Sequence, residues 1–479
     1  MKSIRVLLCV LTITCVIDPS EPCHGQQEKG ERANVILIIA DDLGYGETGV
    51  MGNDEIPTPH IDALAKDGTR CTSAYVTASY CSPSRAGIFT GRYQSRFGYE
   101  MNPTGKRNLH KEAGLPESEK TFVSRLSDAG YKTGLVGKWH LGTVDSKKPT
   151  SRGFDHFYGF LHEGHYYVPG PPYKDVLTMI RDNSLEAGER VREKNLIRGN
   201  YARISEPKYD ADNPILRGDK EIEEARYLTD AITEEAVEFI EENAGDPMCL
   251  VVSYGAVHSP MQATTEDVRS LRRIKDIQRR IFAGMLTSLD RGVGQIREAI
   301  EAQSLRRKTM VVFISDNGGP TAELTSSNAP LRGGKGSLYE GGIRVPMIWS
   351  FPGKIPAERV ESRPMLSLDI AATALDVAGL EADQQADGKS LLSWINDPTL
   401  EYPHEALYWR MSGGKLALRM GNWKIVRAKK GESIELFHLA GDISEERNLA
   451  SEQGEKMKEL VNRWYAMNAE MAEPIVLPK

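Results

Sequence analysis

The chain of 479 residues is poor in cysteine: it has six, and three of them, Cys9, Cys15 and Cys23, fall at its very start. The remaining Cys71, Cys81 and Cys249 are odd in number, which excludes a fully paired disulfide framework. A Cys71 to Cys249 bridge is compatible with the count, although Cys249, in an apolar run, reads more simply as a small core residue. Long hydrophobic runs are also missing, since no stretch reaches the roughly 20 apolar residues that a membrane-spanning helix needs. Positive charge is not in excess. With 60 Lys and Arg against 67 Asp and Glu, the formal net charge of -7 offers no field for nucleic acid, which is excluded as a partner. There are no internal repeats and no low-complexity linker. What is present, 40% hydrophobic and 27% charged residues, suffices for one large domain with a small appendage.

Lys2 and Arg5 precede an apolar run over residues 6–17, and Cys23-His24-Gly25 places small residues at the two positions a signal peptidase reads. Residues 1–25 therefore read as a signal peptide, and the protein as exported: periplasmic or extracellular, or in a lysosomal-type compartment if eukaryotic. The run is too short for a retained anchor. Thr12-Ile13-Thr14 before Cys15 fits a lipoprotein cleavage site poorly.

Strand and helix patterns then alternate. Val35-Ile36-Leu37-Ile38-Ile39-Ala40 is apolar without a break, as a parallel strand covered on both faces would be, and it turns abruptly into Asp41-Asp42-Leu43-Gly44. Residues 308–315 repeat the pattern and end in Asp316-Asn317-Gly318-Gly319. Residues 131–136 lead into Gly137-Lys138-Trp139-His140, and residues 248–254 into Gly255-Ala256-Val257-His258. Helical periodicity occupies residues 225–243, 276–302 and 368–378. The fold class is α/β, a large and mostly parallel sheet sandwiched by helices, over residues 30–400. Residues 180–226 are densely charged and strand-poor, which reads either as solvated surface, the usual case for such runs, or as a loop insertion beside the active edge that shapes a substrate pocket. From residue 401 short strands (406–409, 415–419, 423–426) and a last amphipathic helix (452–467) predict a small C-terminal α+β domain, 401–479.

Open α/β sheets bind ligands at the carboxyl ends of their strands, and here those ends carry the chemistry. Asp41, Asp42, Asp316 and Asn317 offer three carboxylates and an amide with no histidine or thiolate among them. That is the ligand set of a hard cation, Ca²⁺ or Mg²⁺, rather than Zn²⁺, and without a cation the like charges would repel. Lys138, His140 and His258 appear just where strand patterns stop. A glycine-rich loop over residues 331–346 presents Lys335 as an anion contact.

One further stretch, Cys81-Ser82-Pro83-Ser84-Arg85 with Thr90-Gly91-Arg92 after it, predicts a helix start. Ser82 would be the N-cap, Pro83 the first helical residue, and Arg85 would lie one turn inside, aimed at an anion held by the helix N-terminus. This stretch resembles the signature of the formylglycine-dependent sulfatases. The Asp41-Asp42, Gly137-Lys138-Trp139-His140, His258, Ser315-Asp316-Asn317-Gly318 and Lys335 segments, and Glu435-Leu436-Phe437 with Asn448-Leu449, follow that family's order. Nearly all of the mature chain thus resembles the type I sulfatases of the alkaline phosphatase superfamily, most of all arylsulfatase A-like and N-acetylgalactosamine-6-sulfatase-like members. Phe89 stands where leucine is more usual.

The resemblance implies an alkaline phosphatase-like fold and a Cys81 oxidised by a formylglycine-generating enzyme to 3-oxoalanine, or formylglycine. It implies one Ca²⁺, held by Asp41, Asp42, Asp316, Asn317 and residue 81. The substrate would be a sulfated small molecule or glycan. A geminal diol at residue 81 would attack sulfur, the alcohol would leave, and the second hydroxyl would expel sulfate. Lys138 and Lys335 would hold the sulfate oxygens, Arg85 and His140 would orient and activate the diol, and His258 would assist the leaving oxygen. His162 and His165 fall near another substrate contact of the family. Two other readings stay open: a phosphoester or phosphonate hydrolase of the same superfamily, and a non-catalytic relative that binds sulfated glycans. The second expects a lost ligand or nucleophile, and none is lost.

The N-terminal pattern predicts that the exported protein begins near Gln26. N-terminal sequencing of the exported form checks this, and an intact Met1 there would contradict it.

Overall fold

A computed structural model describes residues 32–477; the predicted signal peptide lies outside the described residues. The strand Asn34–Ala40 lies inside a ten-stranded sheet, and its surroundings explain its composition. Ile36 and Ile38 enter the core beneath the helices Leu228–Glu242 and Ile277–Ala302. Val35, Leu37 and Ile39 enter the opposite core, with the helices Cys81–Thr90, Phe122–Asp128 and Asp369–Val377. A side chain is buried whichever way it points, hence the unbroken apolar run.

Met248–Ser253 and Thr309–Ser315 pair with this strand on either side, both parallel. Lys132–Lys138 and then His156–Phe160 continue in parallel beyond Met248–Ser253. Antiparallel pairs appear toward the flanks: Met347–Ser350 pairs antiparallel with both Thr309–Ser315 and Thr69–Cys71 on one side, and Ile215–Arg217 pairs antiparallel with His156–Phe160 on the other. The sheet is therefore mixed with a parallel centre, and the carboxyl ends of the central strands lie side by side.

One expectation needs correction, and one question the sequence left open is answered. The charged segment 180–226 is not strand-poor. Val176–Arg181, Leu196–Gly199 and Arg190–Glu193 join Met261–Thr264 in a second, four-stranded sheet, and Ile215–Arg217 with Lys220–Ile222 extends the main one. These strands span three to six residues, and only every second side chain of Leu196–Gly199 is buried, so their charged faces dominate the composition. Cys71 and Cys249 do not pair; both are free and buried. Three strands separate them in the sheet. Four spacings of about 4.8 Å far exceed the roughly 7 Å between Cα atoms that a bridge tolerates.

The C-terminal sheet, Leu407–Met411, Lys415–Met420, Trp423–Arg427 and Glu435–His438, is antiparallel in sequence order. The helix Gly454–Asn468 lays Leu460 and Trp464 on it, and Tyr75, Tyr93, Leu338 and Leu366 from the larger part share the same core. Where the two parts meet, Lys424 Nζ lies 2.8 Å from Glu340 Oε1 and 2.9 Å from Glu445 Oε1, all buried. Arg344 Nη1 reaches Glu340 Oε2 at 3.1 Å, and the Tyr75 hydroxyl donates to the same oxygen at 2.5 Å. Glu340 opens the short helix Glu340–Ile343 directly after the glycine-rich loop of Lys335, so the small sheet anchors one end of that loop. Burial works to raise the pKa of Glu340, but Lys424, Arg344 and Arg419 hold it down to about 2. Burial, opposed by Lys424 and reinforced by Glu340, pushes Glu445 up to about 7.

A carboxyl whose pKa is raised by folding gives its stability at low pH and loses it as pH climbs through the folded value. Glu445→Gln is therefore expected to gain on the parent between about pH 5 and pH 8, measured as a Tm difference that moves toward the variant. A difference that is flat, or moves toward the parent, contradicts the assignment.

Candidate active site

Four strand ends and one helix start build the site. The helix Cys81–Thr90 begins two residues earlier than the sequence suggests: Tyr80 is its N-cap, and Ser82 and Pro83 lie inside its first turn. Ser82 does not cap because its hydroxyl is engaged elsewhere, donating to His140 O at 2.6 Å and meeting the Tyr99 hydroxyl at 2.6 Å. Its backbone N–H donates to Asn102 Oδ1 at 3.1 Å. Cys81 is thereby the first helical residue and fully buried, its Sγ 3.5 Å from Asp41 Oδ1.

Asp41 and Asp42 leave the end of Asn34–Ala40, and Asp316 and Asn317 the end of its neighbour Thr309–Ser315. Asp42 adopts a left-handed backbone (φ 62°), as does His140 (φ 58°), a conformation uncommon outside glycine and frequent where the surroundings dictate side-chain direction. Gly318 is required by close approach, since a Cβ there would lie 1.8 Å from Gly341 O of the Lys335 loop. One ligand atom from each of Asp41, Asp42, Cys81 and Asp316 falls within 4.8 Å of the others, and all four residues are buried.

Three cations meet the three carboxylates. Lys138 Nζ lies 2.6 Å from Asp41 Oδ2, Lys335 Nζ 2.7 Å from Asp42 Oδ2, and Arg85 Nε 2.8 Å from Asp316 Oδ2. Arg85 Nη1 also donates to Lys138 O at 3.0 Å and to Ser253 Oγ at 2.6 Å. Asn317 Nδ2 donates to Asp42 Oδ1 at 2.6 Å, while its Oδ1 is buried with no hydrogen-bond partner. His258 Nε2 stands 3.7 Å from Asp42 Oδ2. His140 Nε2 meets Pro103 O at 2.8 Å and its Nδ1 has no partner.

Burial and charge pull against each other throughout. Burial favours a neutral Asp42, yet Lys335 and His258 hold its pKa down to about 2. At Asp316 burial and the repulsion of Asp41 prevail over Arg85 and Lys138 and push it up to about 6. Burial and Lys335 depress His258 to about 4, and burial and Lys138 depress His140. Burial pushes the Cys81 thiol well up, so as a thiol it is a poor nucleophile. The residues fit a hard divalent cation: beside Cys81 Sγ the three carboxylates offer oxygens, the Asn317 oxygen has no partner, and a carboxylate raised toward neutrality gains by ion binding.

His162 and His165 are not part of this cluster. His162 is buried, its backbone N–H bonded to Asn213 Oδ1 at 3.2 Å. His165 Nδ1 meets Tyr166 O at 2.7 Å and its ring lies by Phe160, 5.5 Å between centroids. Sequence reasoning missed Ser253, whose hydroxyl donates to Lys138 O at 2.6 Å while accepting from Arg85. It is the last residue of Met248–Ser253, and its position at the shared edge was the available signal.

The family description "Sulfatase" matches residues 33–380, and "N-sulphoglucosamine sulphohydrolase, C-terminal" matches residues 334–472. Human arylsulfatase D is 31% identical, with 84% of this chain and 75% of that protein covered, and human steryl-sulfatase is 31% identical with 80% and 73% covered. Among solved structures, Ps i-CgsB in complex with k-i-k-neocarrahexaose superposes with a TM-score of 0.81 at 32% identity, covering 94% of this chain and 95% of that one. Shared sequence over most of the chain and a shared fold meet in one conclusion: the chain belongs to the sulfatase family and is a sulfuric ester hydrolase.

Proposed function

We propose that the protein is exported and removes sulfate from a sulfated carbohydrate, with residue 81 as formylglycine made by a formylglycine-generating enzyme and with one Ca²⁺ beside it. The observation that carries this reading is the placement of Cys81 at a helix start, within 4.8 Å of three carboxylates. The glycan part is supported by Ps i-CgsB, matched over nearly its whole length and solved with a neocarrahexaose. Asp41, Asp42, Asp316, Asn317 and residue 81 would hold the ion, which supplies Lewis-acid polarisation of sulfate oxygens. Formylglycine supplies, once hydrated, an oxygen nucleophile that a cysteine lacks.

The chain's own residues do the rest. The cluster opposes three carboxylates with three cations, so a divalent ion makes it net positive and fit for an anionic ester. Lys138 and Lys335 would bind non-bridging oxygens. Arg85, locked by Asp316, Lys138 O and Ser253, would fix the helix start on which residue 81 stands. His140, with Nε2 engaged by Pro103 O, would accept a proton at Nδ1. His258 would deliver a proton from Nε2 to the leaving oxygen; the negative charge of a bound ester opposes Lys335 and raises its proton affinity. His162 and His165 would contact the sugar beyond this centre.

Release of inorganic sulfate from sulfated oligosaccharides, run beside matched aryl sulfate and aryl phosphate, tests the reading. Preference for the phosphate would overturn it. In active protein the tryptic peptide containing residue 81 should show the mass of formylglycine. Cys81→Ala should fold, keep substrate affinity and lose turnover by ~10³-fold or more, the scale on which a nucleophile counts. Repeated turnover by protein whose residue 81 is shown to be a thiol would contradict the mechanism.

Chelation should abolish activity and Ca²⁺ should restore it. Asp316→Ala should fall by ~10²-fold or more, as expected when electrostatic stabilisation is lost. Full turnover by metal-free enzyme would refute the cation.

A further inference from the structure

His258 follows the strand Met248–Ser253, and the charged insertion supplies one ring packed against it, that of Tyr209. Its Nδ1 lies 2.6 Å from Ser259 O, so with Nδ1–H donating there the other nitrogen, Nε2, is left to face Asp42 Oδ2 at 3.7 Å. The Tyr209 ring meets the imidazole edge-on, with centroids 5.8 Å apart and planes at 80°. On a further side stands Gly164, where a Cβ would lie 3.1 Å from His258 Nδ1 and 3.0 Å from Tyr209 Cδ1; any side chain would displace one ring or the other.

A buried polar network stands behind these groups. Arg181, the last residue of Val176–Arg181, donates from Nη2 to the Tyr209 hydroxyl at 2.8 Å and to Ser259 Oγ at 3.4 Å. Ser259 Oγ donates to Glu323 Oε1 at 2.8 Å and lies 2.9 Å from the Tyr209 hydroxyl. The Arg181 charge is matched by Glu206, 2.8 Å from Nη2, and by Glu323. Asn213 Nδ2 ties Gly164 O at 2.8 Å to Tyr209 O at 2.9 Å. Arg181, Tyr209, Asn213 and Ser259 are all buried. A surface insertion has no need of a buried arginine with two carboxylates, an arrangement costly to desolvate and seldom a net source of stability. Its hydrogen bonds converge on the two residues that touch His258.

We infer that Tyr209 and Ser259, held by Arg181, are positioning residues for His258, fixing the imidazole so that Nε2 meets the leaving oxygen. The inference rests on the leaving-group role proposed for His258, and it gives the insertion a part in the chemistry as well as in shaping the surface. A ring free to rotate about its side-chain bonds would still sit in the pocket but would meet the departing oxygen in only a fraction of encounters.

The test uses the full, formylglycine-bearing enzyme with two substrates, a sugar sulfate with a poor leaving group and an activated nitrophenyl sulfate. Tyr209→Phe keeps the ring and removes the hydroxyl; Ser259→Ala removes the link between Tyr209 and Glu323. Arg181 is left in place because its removal strands two carboxylates. Each variant should lower kcat on the sugar sulfate about five- to tenfold, the worth of one or two hydrogen bonds, and lower it less than about twofold on the nitrophenyl sulfate, with KM nearly constant. Introduced into His258→Ala, neither substitution should lower kcat further. Equal losses on both substrates, no loss on the sugar sulfate, or a loss that persists in the His258→Ala background would overturn the inference. His258→Ala alone tests the underlying role: if it affects both substrates equally, that role is wrong and this inference falls with it.

Discussion

Three carboxylates buried at the ends of two adjacent parallel strands are the constraint on which the rest of this structure depends. In a site this dry each charge interacts strongly with its neighbours, and an unmatched one is expensive. The protein answers with one cation per carboxylate, each from a different element: Lys138 from a strand end, Arg85 from the first turns of a helix, Lys335 from a glycine-rich loop. The match stops short of neutralising every group, since Asp316 remains raised and the Asn317 oxygen remains unpaired. A hard cation would relieve that residual imbalance. Such fixed charge is what an anionic ester requires, because it costs no reorganisation at the moment of reaction.

Holding those cations falls to parts of the molecule remote from the central strands. The loop of Lys335 ends in Glu340, which the C-terminal sheet grips through Lys424. His258 is walled by Tyr209 and Gly164 and backed by Arg181, all from the chain between the strands His156–Phe160 and Met248–Ser253. Both grips rest on a buried cation with carboxylate partners, Lys424 in one and Arg181 in the other. Apolar packing would stabilise as well or better, but charged groups with fixed partners admit fewer alternative arrangements, and a reactive centre needs its groups held to fractions of an ångström.

Much of this was legible in the sequence. A strand buried on both faces has to be apolar at every position, and the run must end where the backbone leaves the sheet, so Asp41, Asp316, Lys138 and His258 announced themselves as polar residues at abrupt ends of apolar runs. The signature around Cys81 carried the family. Less legible was whatever depends on pairing between distant short segments. The strands of the insertion are too brief and too charged to show a period, and their register comes from Met261–Thr264 and His156–Phe160, far away in the chain. Ser82 looked like a helix cap because cap preferences are local, whereas its hydroxyl is claimed by His140 O and Tyr99, contacts that local sequence does not contain.

The sequence by itself thus determined the alternation of strands and helices, the chemistry delivered to the strand ends and the family, because each rests on residues adjacent in the chain or on a pattern repeated along it. Only the tertiary structure decided that three strands stand between Cys71 and Cys249, that Ser253 joins Arg85 to Lys138 O, and that Tyr209, held by Arg181, packs against His258. Those facts depend on strand order and on side chains brought together from many residues apart, and burial sets their energies: a hydroxyl or guanidinium that is ordinary in water becomes decisive where no water can replace its partner.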